Sequence, residues 1–260
     1  MHTPVTSSAL PDELCVERRG NVLIVRLARP AKRNALNDAT VEAIDRVFSS
    51  VPDDVHAIVL HGEGAHFSAG LDLAELTERD AVQGLMHSRM WHRALDRVQF
   101  GKAPVIAALH GAVIGGGLEL ACAAHIRVAE PSAYYALPEG QRGIFVGGGA
   151  SVRVAKIIGP DRMTEMMLTG RSYSAEEGLR LGLSHYLVPE GQALEEAFRL
   201  ARQIATNAPL SNWASITAVA NIADMSMANG LYTESLAAAI AQSSDEANRR
   251  MQDFLNQKKG

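Results

Sequence analysis

Short, wholly apolar runs recur along this chain, each separated from the next by a stretch of helical spacing, and that alternation restricts it to few architectures. Residues 21–27, 55–61, 104–109 and 126–129 are rich in Val, Ile, Leu and Ala. Runs of this length with little polar alternation suit strands buried on both faces. Between them, residues 38–50 place Val41, Ile44, Val47 and Phe48 at helical intervals, and residues 72–100 read as mostly helix with an interruption around 78–83. Strands and helices that alternate in this way predict an α/β fold.

Finer punctuation divides the rest. Residues 134–137 form a further short apolar run, and the glycine triplet 147–149 precedes a helix over 150–158. Pro160 suits a first helical position and Gly170 the position just past a helix end, which frames a helix over 161–169. Ser174 with Glu177 is a capping-box pattern for a helix ending near Gly182. From about Gln192 alanine rises and strand-like runs vanish, so residues 1–191 are expected to form the α/β core and 192–260 a helical region. Within that region Pro209 and the Asn229-Gly230 pair are expected to break helices, and Ser243 with Glu246 to open a last helix through Gln257. Residues 1–14 read as a loose arm.

Composition removes several classes. The formal net charge of the 260 residues is −4, so no basic excess exists to attract a nucleic-acid backbone. A local cation or a helix N-terminus still suffices to hold one phosphate. No apolar run approaches the roughly 20 residues of a membrane span. The first residues carry no basic segment followed by a long apolar one, so a cytoplasmic protein is expected. Cys15 and Cys122 are too far apart in sequence to suggest a disulfide framework or a zinc cluster, and His61, His66 and His125 do not have metal-ligand spacing.

Two segments invite chemistry. One is Phe-Ser-Ala-Gly-Leu-Asp-Leu at 67–73, the other His-Gly-Ala-Val-Ile-Gly-Gly-Gly-Leu-Glu-Leu at 110–120. Each runs from a strand through glycine into a helix, which exposes backbone N–H groups at a helix N-terminus. Two such sites facing each other would form an oxyanion hole. Pro138-Glu139 adds a carboxylate after an apolar run. The reaction that suits this set is addition of water to an α,β-unsaturated thioester, in which charge moves onto the carbonyl oxygen. One carboxylate would activate water, and a carboxylic acid would supply a proton at the α-carbon. Partial burial would hold the two proton affinities apart.

Spacing alone leaves plainer readings open. A glycine triplet before a helix also serves tight turns and close packing. Glu119 could be a solvated helix residue, Glu139 a cap, Asp72 a helix cap, and Trp91 with Met86 and Met90 a core stripe. A dinucleotide site is disfavoured because residues 115–117 lack the G-x-G-x-x-G spacing, and a P-loop is excluded because no Gly-Lys-Ser/Thr follows either triplet. Ser68 has no His and Asp partners in recognisable order for a serine hydrolase.

Over nearly its whole length the chain resembles the crotonase superfamily, the enoyl-CoA hydratase/isomerase family. The resemblance rests on residues 27–37, with Arg29-Pro30 ahead of Asn34-Ala35, on 67–73, on 104–121, on Leu137-Pro138-Glu139 and on 174–188, in that order. It implies the ClpP/crotonase-like α/β spiral of repeated strand–strand–helix units, followed by a C-terminal helical oligomerisation region that builds homotrimers and homohexamers. It assigns the oxyanion N–H groups to Leu71 and Gly116 and the acid/base pair to Glu119 and Glu139. Lys32, Arg33, Ala35 and Ala69 become coenzyme A contacts, with Phe254 and Lys258 reaching a neighbouring subunit's coenzyme A. No metal and no separate cofactor are expected, because coenzyme A enters as part of the acyl-CoA substrate.

Because both glutamates are present, the resemblance favours enoyl-CoA hydratase over Δ3,Δ2-enoyl-CoA isomerase, whose members generally manage with the carboxylate at the Glu139 position. A non-catalytic CoA-binding scaffold is the alternative of another class, and a missing glutamate or a basic face would have pointed to it. Residues 123–127 and 143–149 depart from the commoner hydratase pattern and look like the methylthioacryloyl-CoA hydratase branch.

Overall fold

The computed structural model describes residues 3–4, 10–75 and 79–257, and the strands and helices below are those of the described residues. Strands β1 (Thr3–Pro4), β2 (Leu14–Arg19) and β3 (Val22–Leu27) pair antiparallel in sequence. Helix α1 (Asp38–Ser49) is capped by Asn37, whose side chain accepts from the Thr40 N–H. Strand β4 (Ala57–Gly62), helix α2 (Ala81–Gln99) and strand β5 (Val105–Leu109) follow. Then come β6 (Ala112–Ile114), α3 (Gly116–Ala123), β7 (Ile126–Ala129) and β8 (Tyr134–Ala136). After α4 (Ala150–Ile158) and α5 (Pro160–Thr169), β9 (Tyr173–Ser174), α6 (Ala175–Leu181) and β10 (Tyr186–Leu187) complete the strands. Helices α7 (Ala193–Ile204), α8 (Pro209–Ile222), α9 (Met227–Gln242) and α10 (Asp245–Gln257) end the chain.

The strands sort into two sheets. A large sheet has the order β1-β2-β3-β4-β5-β7-β10, parallel from β3 onward, and a small one has the order β6-β8-β9. The chain thus lays a strand in the large sheet, then one in the small sheet, then a helix, and repeats: β5-β6-α3, then β7-β8-α4. This is the α/β spiral of strand–strand–helix units.

Period-two alternation explains why the strands read as continuous apolar runs. Leu23, Val25, Leu27, Ile58, Leu60, Val105, Ala107 and Leu109 point into the main core with α1, α2 and α3. Their neighbours Val22, Ile24, Ala57, Val59, Ile106, Ala108 and Val128 point to the other face, where α7 covers them with Ala193, Ala197, Phe198, Leu200 and Ala201. Glu130 ties α7 in place by accepting from the Ala193 N–H at 2.9 Å. At roughly 25 cal/mol per Å² of apolar area, burying a side chain such as Phe198 contributes about 2 kcal/mol.

Three expectations are corrected. Part of the N-terminal arm is not loose, because Thr3 and Pro4 pair with Arg18 and Glu17 of β2. Asn229-Gly230 does not break a helix: Ser226 caps α9, and the pair lies in its first turn. Gly230 is buried there because a Cβ would stand 3.2 Å from Ile222 of α8, so the residue serves close helix approach. The last helix is capped by Ser244, whose hydroxyl accepts from the Ala247 N–H, while Ser243 ends α9.

Candidate active site

The site forms where the small sheet brings three chain segments to one level. Ser68 forms a parallel bridge with Val113, so three residues further along each segment Leu71 comes beside Gly116. Ile114 pairs with Ala136 in β8, and the Gly115 N–H donates to the Ala136 carbonyl at 2.9 Å. Three residues past Ala136 stands Glu139, in a short 3-10 turn.

Close approach demands the glycines. Gly115 turns the chain from β6 into α3 at φ +52°, and a Cβ there would also stand 2.6 Å from Glu139 Oε1. A Cβ on Gly116 would lie 2.7 Å from the Trp91 ring and 3.4 Å from the Leu71 nitrogen, and one on Gly70 2.9 Å from the Gly116 nitrogen. The Leu71 and Gly116 backbones therefore approach closely, which side chains at Gly70 and Gly116 would prevent. Gly116 opens α3, whose first N–H groups have no acceptor within the helix. Among the described residues neither the Leu71 nor the Gly116 N–H donates to a protein acceptor.

Glu119 and Glu139 line the same cleft as the two amides, a space of about 340 Å³ walled by Trp91. Glu119 is 3% exposed, and its Oε1 accepts from the Gly148 and Ala150 N–H groups at 2.8 and 2.9 Å. Those bonds and the N-terminus of α3 favour its ionised form. Burial outweighs them, with a smaller push from Glu139, and lifts the Glu119 carboxyl from 4.5 to about 7. Burial also raises Glu139, while Arg142 pulls the other way. Its Oε2 is buried and has no hydrogen-bond partner among the described residues.

The expected coenzyme A residues divide. The Ala69 N–H donates to the Arg33 carbonyl at 2.9 Å, which joins the 30–35 turn to the loop carrying Leu71. Ala69 lines the cleft. Lys32 and Arg33 are exposed and Ala35 is half-buried, and none of the three lines the cleft; the next residue, Leu36, donates its N–H to the Gly70 carbonyl. Asn34 builds this turn, donating to the Glu63 and His66 carbonyls and accepting from the Arg29 N–H. Phe254 stands exposed on α10, which contributes nothing to the cleft wall among the described residues, and Lys258 lies outside the described residues.

Sequence reasoning preferred a core place for Trp91 over a pocket wall and missed two other parts of the site. Trp91, 4% exposed, is both core and cleft wall. The second glycine triplet does more than turn: Gly148 supplies an N–H to Glu119, and a Cβ there would stand 2.4 Å from Glu119 Oε2. Ser88, which also lines the cleft, and Arg153 hold that turn through its carbonyls. The triplet was the available signal, but nothing local tells which carboxylate it meets. Asp72 does act as a local cap, accepting from the Ala74 N–H, and it also pairs with Arg29 at 2.5 Å.

A two-sheet α/β spiral that presents two unpaired amides and two buried carboxyls in one cleft is the architecture of the crotonase superfamily. The solved structures agree. A Rhodopseudomonas palustris protein described as a candidate enoyl-CoA hydratase matches with a TM-score of 0.94 and 56% identity, over 98% of this chain and 99% of that one. The Bacillus anthracis enoyl-CoA hydratase matches with a TM-score of 0.88 and 28% identity, over 94% of this chain and 96% of that one. The curated short-chain-enoyl-CoA hydratase of Clostridium acetobutylicum is 30% identical over 251 residues, which is 95% of this chain and 96% of that protein. The family model for enoyl-CoA hydratase/isomerase matches residues 17–260. This chain belongs to the enoyl-CoA hydratase/isomerase family.

Proposed function

We propose that this enzyme adds water across the 2,3 double bond of a short α,β-unsaturated acyl-CoA. One observation carries the reading: two carboxyls with raised proton affinity share a cleft with two amides that lack protein acceptors. The thioester oxygen sits between the Leu71 and Gly116 N–H groups. As the water oxygen bonds to the β-carbon, the electron pair of the double bond moves to the α-carbon side and charge passes onto the thioester carbonyl oxygen, where the two donors stabilise the enolate. One of Glu119 and Glu139 takes the water proton as a carboxylate, and the other gives its proton to the α-carbon as an acid. Raised affinities suit this, because both forms must be accessible near neutral pH.

The departures at 123–127 and 143–149 support methylthioacryloyl-CoA as a substrate. Lys32, Arg33, Ala35 and Ala69 lie along the route that coenzyme A takes to the cleft. The exposed apolar side chains of the C-terminal helices, Leu231, Leu236, Ile240 and Met251 among them, suit burial in a homotrimer or a dimer of trimers, with Phe254 and Lys258 placed at a neighbour's coenzyme A.

The test replaces Glu119 and Glu139 singly by Gln and follows loss of the enoyl-thioester absorbance with crotonyl-CoA and methylthioacryloyl-CoA. Each variant should lose on the order of 10²–10⁴-fold in kcat. Full activity in both would overturn the mechanism. Deuterium uptake from heavy water without a hydroxyacyl product would replace hydration by isomerisation. Binding of coenzyme A without turnover of any enoyl thioester would indicate a scaffold.

A further inference from the structure

The turn at 147–149 meets Glu119 with its N–H groups and is held by its carbonyls. The Gly148 and Ala150 N–H groups converge on one oxygen, Glu119 Oε1. Ser88 Oγ donates at 2.6 Å to the Gly147 carbonyl, which shares a peptide with the Gly148 N–H, and Arg153 Nη1 donates at 3.0 Å to the Gly148 carbonyl, in the peptide that links the two donating ones. Arg153 is itself fixed twice, by Gln99 Oε1 at Nε and by Asp96 Oδ1 at Nη2, both at 2.6 Å, and its side chain is 10% exposed. It lines a separate cavity of about 490 Å³ behind the turn, not the cleft that holds Glu119 and Glu139. The guanidinium therefore stands outside the lining of the cleft and holds the peptide between the two that grip Glu119.

We infer that Arg153 is a positioning residue for Glu119: by holding the Gly148 carbonyl from α4, with Ser88 of α2 holding the Gly147 carbonyl, it aims two N–H groups at the carboxylate and sets its readiness to accept or release a proton. Gly149 is part of the device, since a Cβ there would stand 2.3 Å from Arg153 Nη1. The positive charge acts in the same sense as the geometry, favouring the ionised carboxyl against the burial that opposes it. Other charged or titratable groups around the cleft are Glu139, Arg142, Arg79 and His87, with His92 3.4 Å from Ser88 Oγ; the variants below replace none of them, and removing the Arg153 charge also relieves one of the influences that lower His92, below the range of the limb near pH 7. The inference rests on Glu119 taking part in hydration, so its test has one arm that needs no turnover.

With crotonyl-CoA, Arg153→Met should lower kcat about 10-fold or more while KM changes less than about twofold, and should move the limb of the kcat/KM profile near pH 7 upward by about half a unit or more. Arg153→Lys, which keeps the charge but not the fork, should recover the limb position better than kcat. The second arm compares Glu119→Gln with its parent by thermal melting. In the wild-type background the Tm difference opens as the unfolded chain ionises and stops growing at the proton affinity of Glu119 in the folded state; this end point, the divergence pH, should rise in an Arg153→Met background. If Arg153→Met does not fold, Arg153→Gln, which also removes the charge but keeps a side-chain N–H donor, should shift both readouts in the same direction. An unmoved limb together with an unmoved divergence pH would overturn the inference, whatever happens to kcat. A moved divergence pH in an enzyme that turns over no enoyl thioester would leave the positioning role standing and remove the proposed reaction.

Discussion

Replacing Glu119 by Gln should make the protein more stable as well as inactive, and only above a definite pH. The carboxyl is buried and lifted from 4.5 to about 7, so the folded state holds a proton that the unfolded chain releases near 4.5. Between those values the native state binds more protons than the unfolded one, and stability falls as pH rises. Above about pH 7 the loss is complete and amounts to about 3 kcal/mol. Gln does not titrate, yet its carbonyl can still accept from the Gly148 and Ala150 N–H groups. Titrating groups that do not interact with residue 119 cancel in the difference, and Glu139, whose push on Glu119 is smaller than that of burial, adds a lesser contribution. For 260 residues the entropy of unfolding is about 0.55 kcal/mol per kelvin, so the Tm of the variant should gain about 5 °C relative to wild type between pH 5 and 8.5. Melting curves followed by circular dichroism at equal protein concentration measure this, since concentration alone shifts the Tm of an oligomer. A Tm difference that stays the same at both pH values, or one that shrinks as pH rises, refutes the reasoning that burial dominates at this carboxyl.

Two other substitutions test the frame around it. Gly116→Ala places a Cβ 2.7 Å from the Trp91 ring, so the ring or the start of α3 must move. Displacing one amide donor should cost about 10²–10³-fold in kcat with the far-ultraviolet spectrum unchanged, and a loss under tenfold would remove Gly116 from the oxyanion site. Asn34→Ala removes two donated bonds and one accepted bond at a buried position held at φ +53°. It should cost about 3 kcal/mol and raise KM by loosening the turn that presents Lys32 and Arg33, and an unchanged Tm would contradict that account.

Much of this protein was readable before any coordinates. The apolar runs at 55–61 and 104–109 are strands because both faces of the sheet are buried, and burial leaves no room for polar alternation. Ser174 with Glu177, Gly170 and Gly182 mark helix ends through bonds within a few residues. The ordered motifs placed Leu71, Gly116, Glu119 and Glu139 in one reading, and the fold brings all four to one cleft. What failed locally failed because the deciding partner is distant. Strand β2, with its charged residues, is a strand because β3 lies beside it. The pair Asn229-Gly230 stays helical because Ser226 caps it and Ile222 packs on the glycine.

The sequence by itself determined which segments bury themselves, where helices start and stop, and which side chains are available for proton transfer. Tertiary structure alone decided that residue 148 donates to residue 119, that Arg153 holds the turn between them from behind, and that Glu119 keeps its proton to about pH 7. The physical reason is range. Hydrophobic period and capping act within a few residues of the chain, whereas desolvation and convergent hydrogen bonds depend on neighbours that only the folded chain brings together.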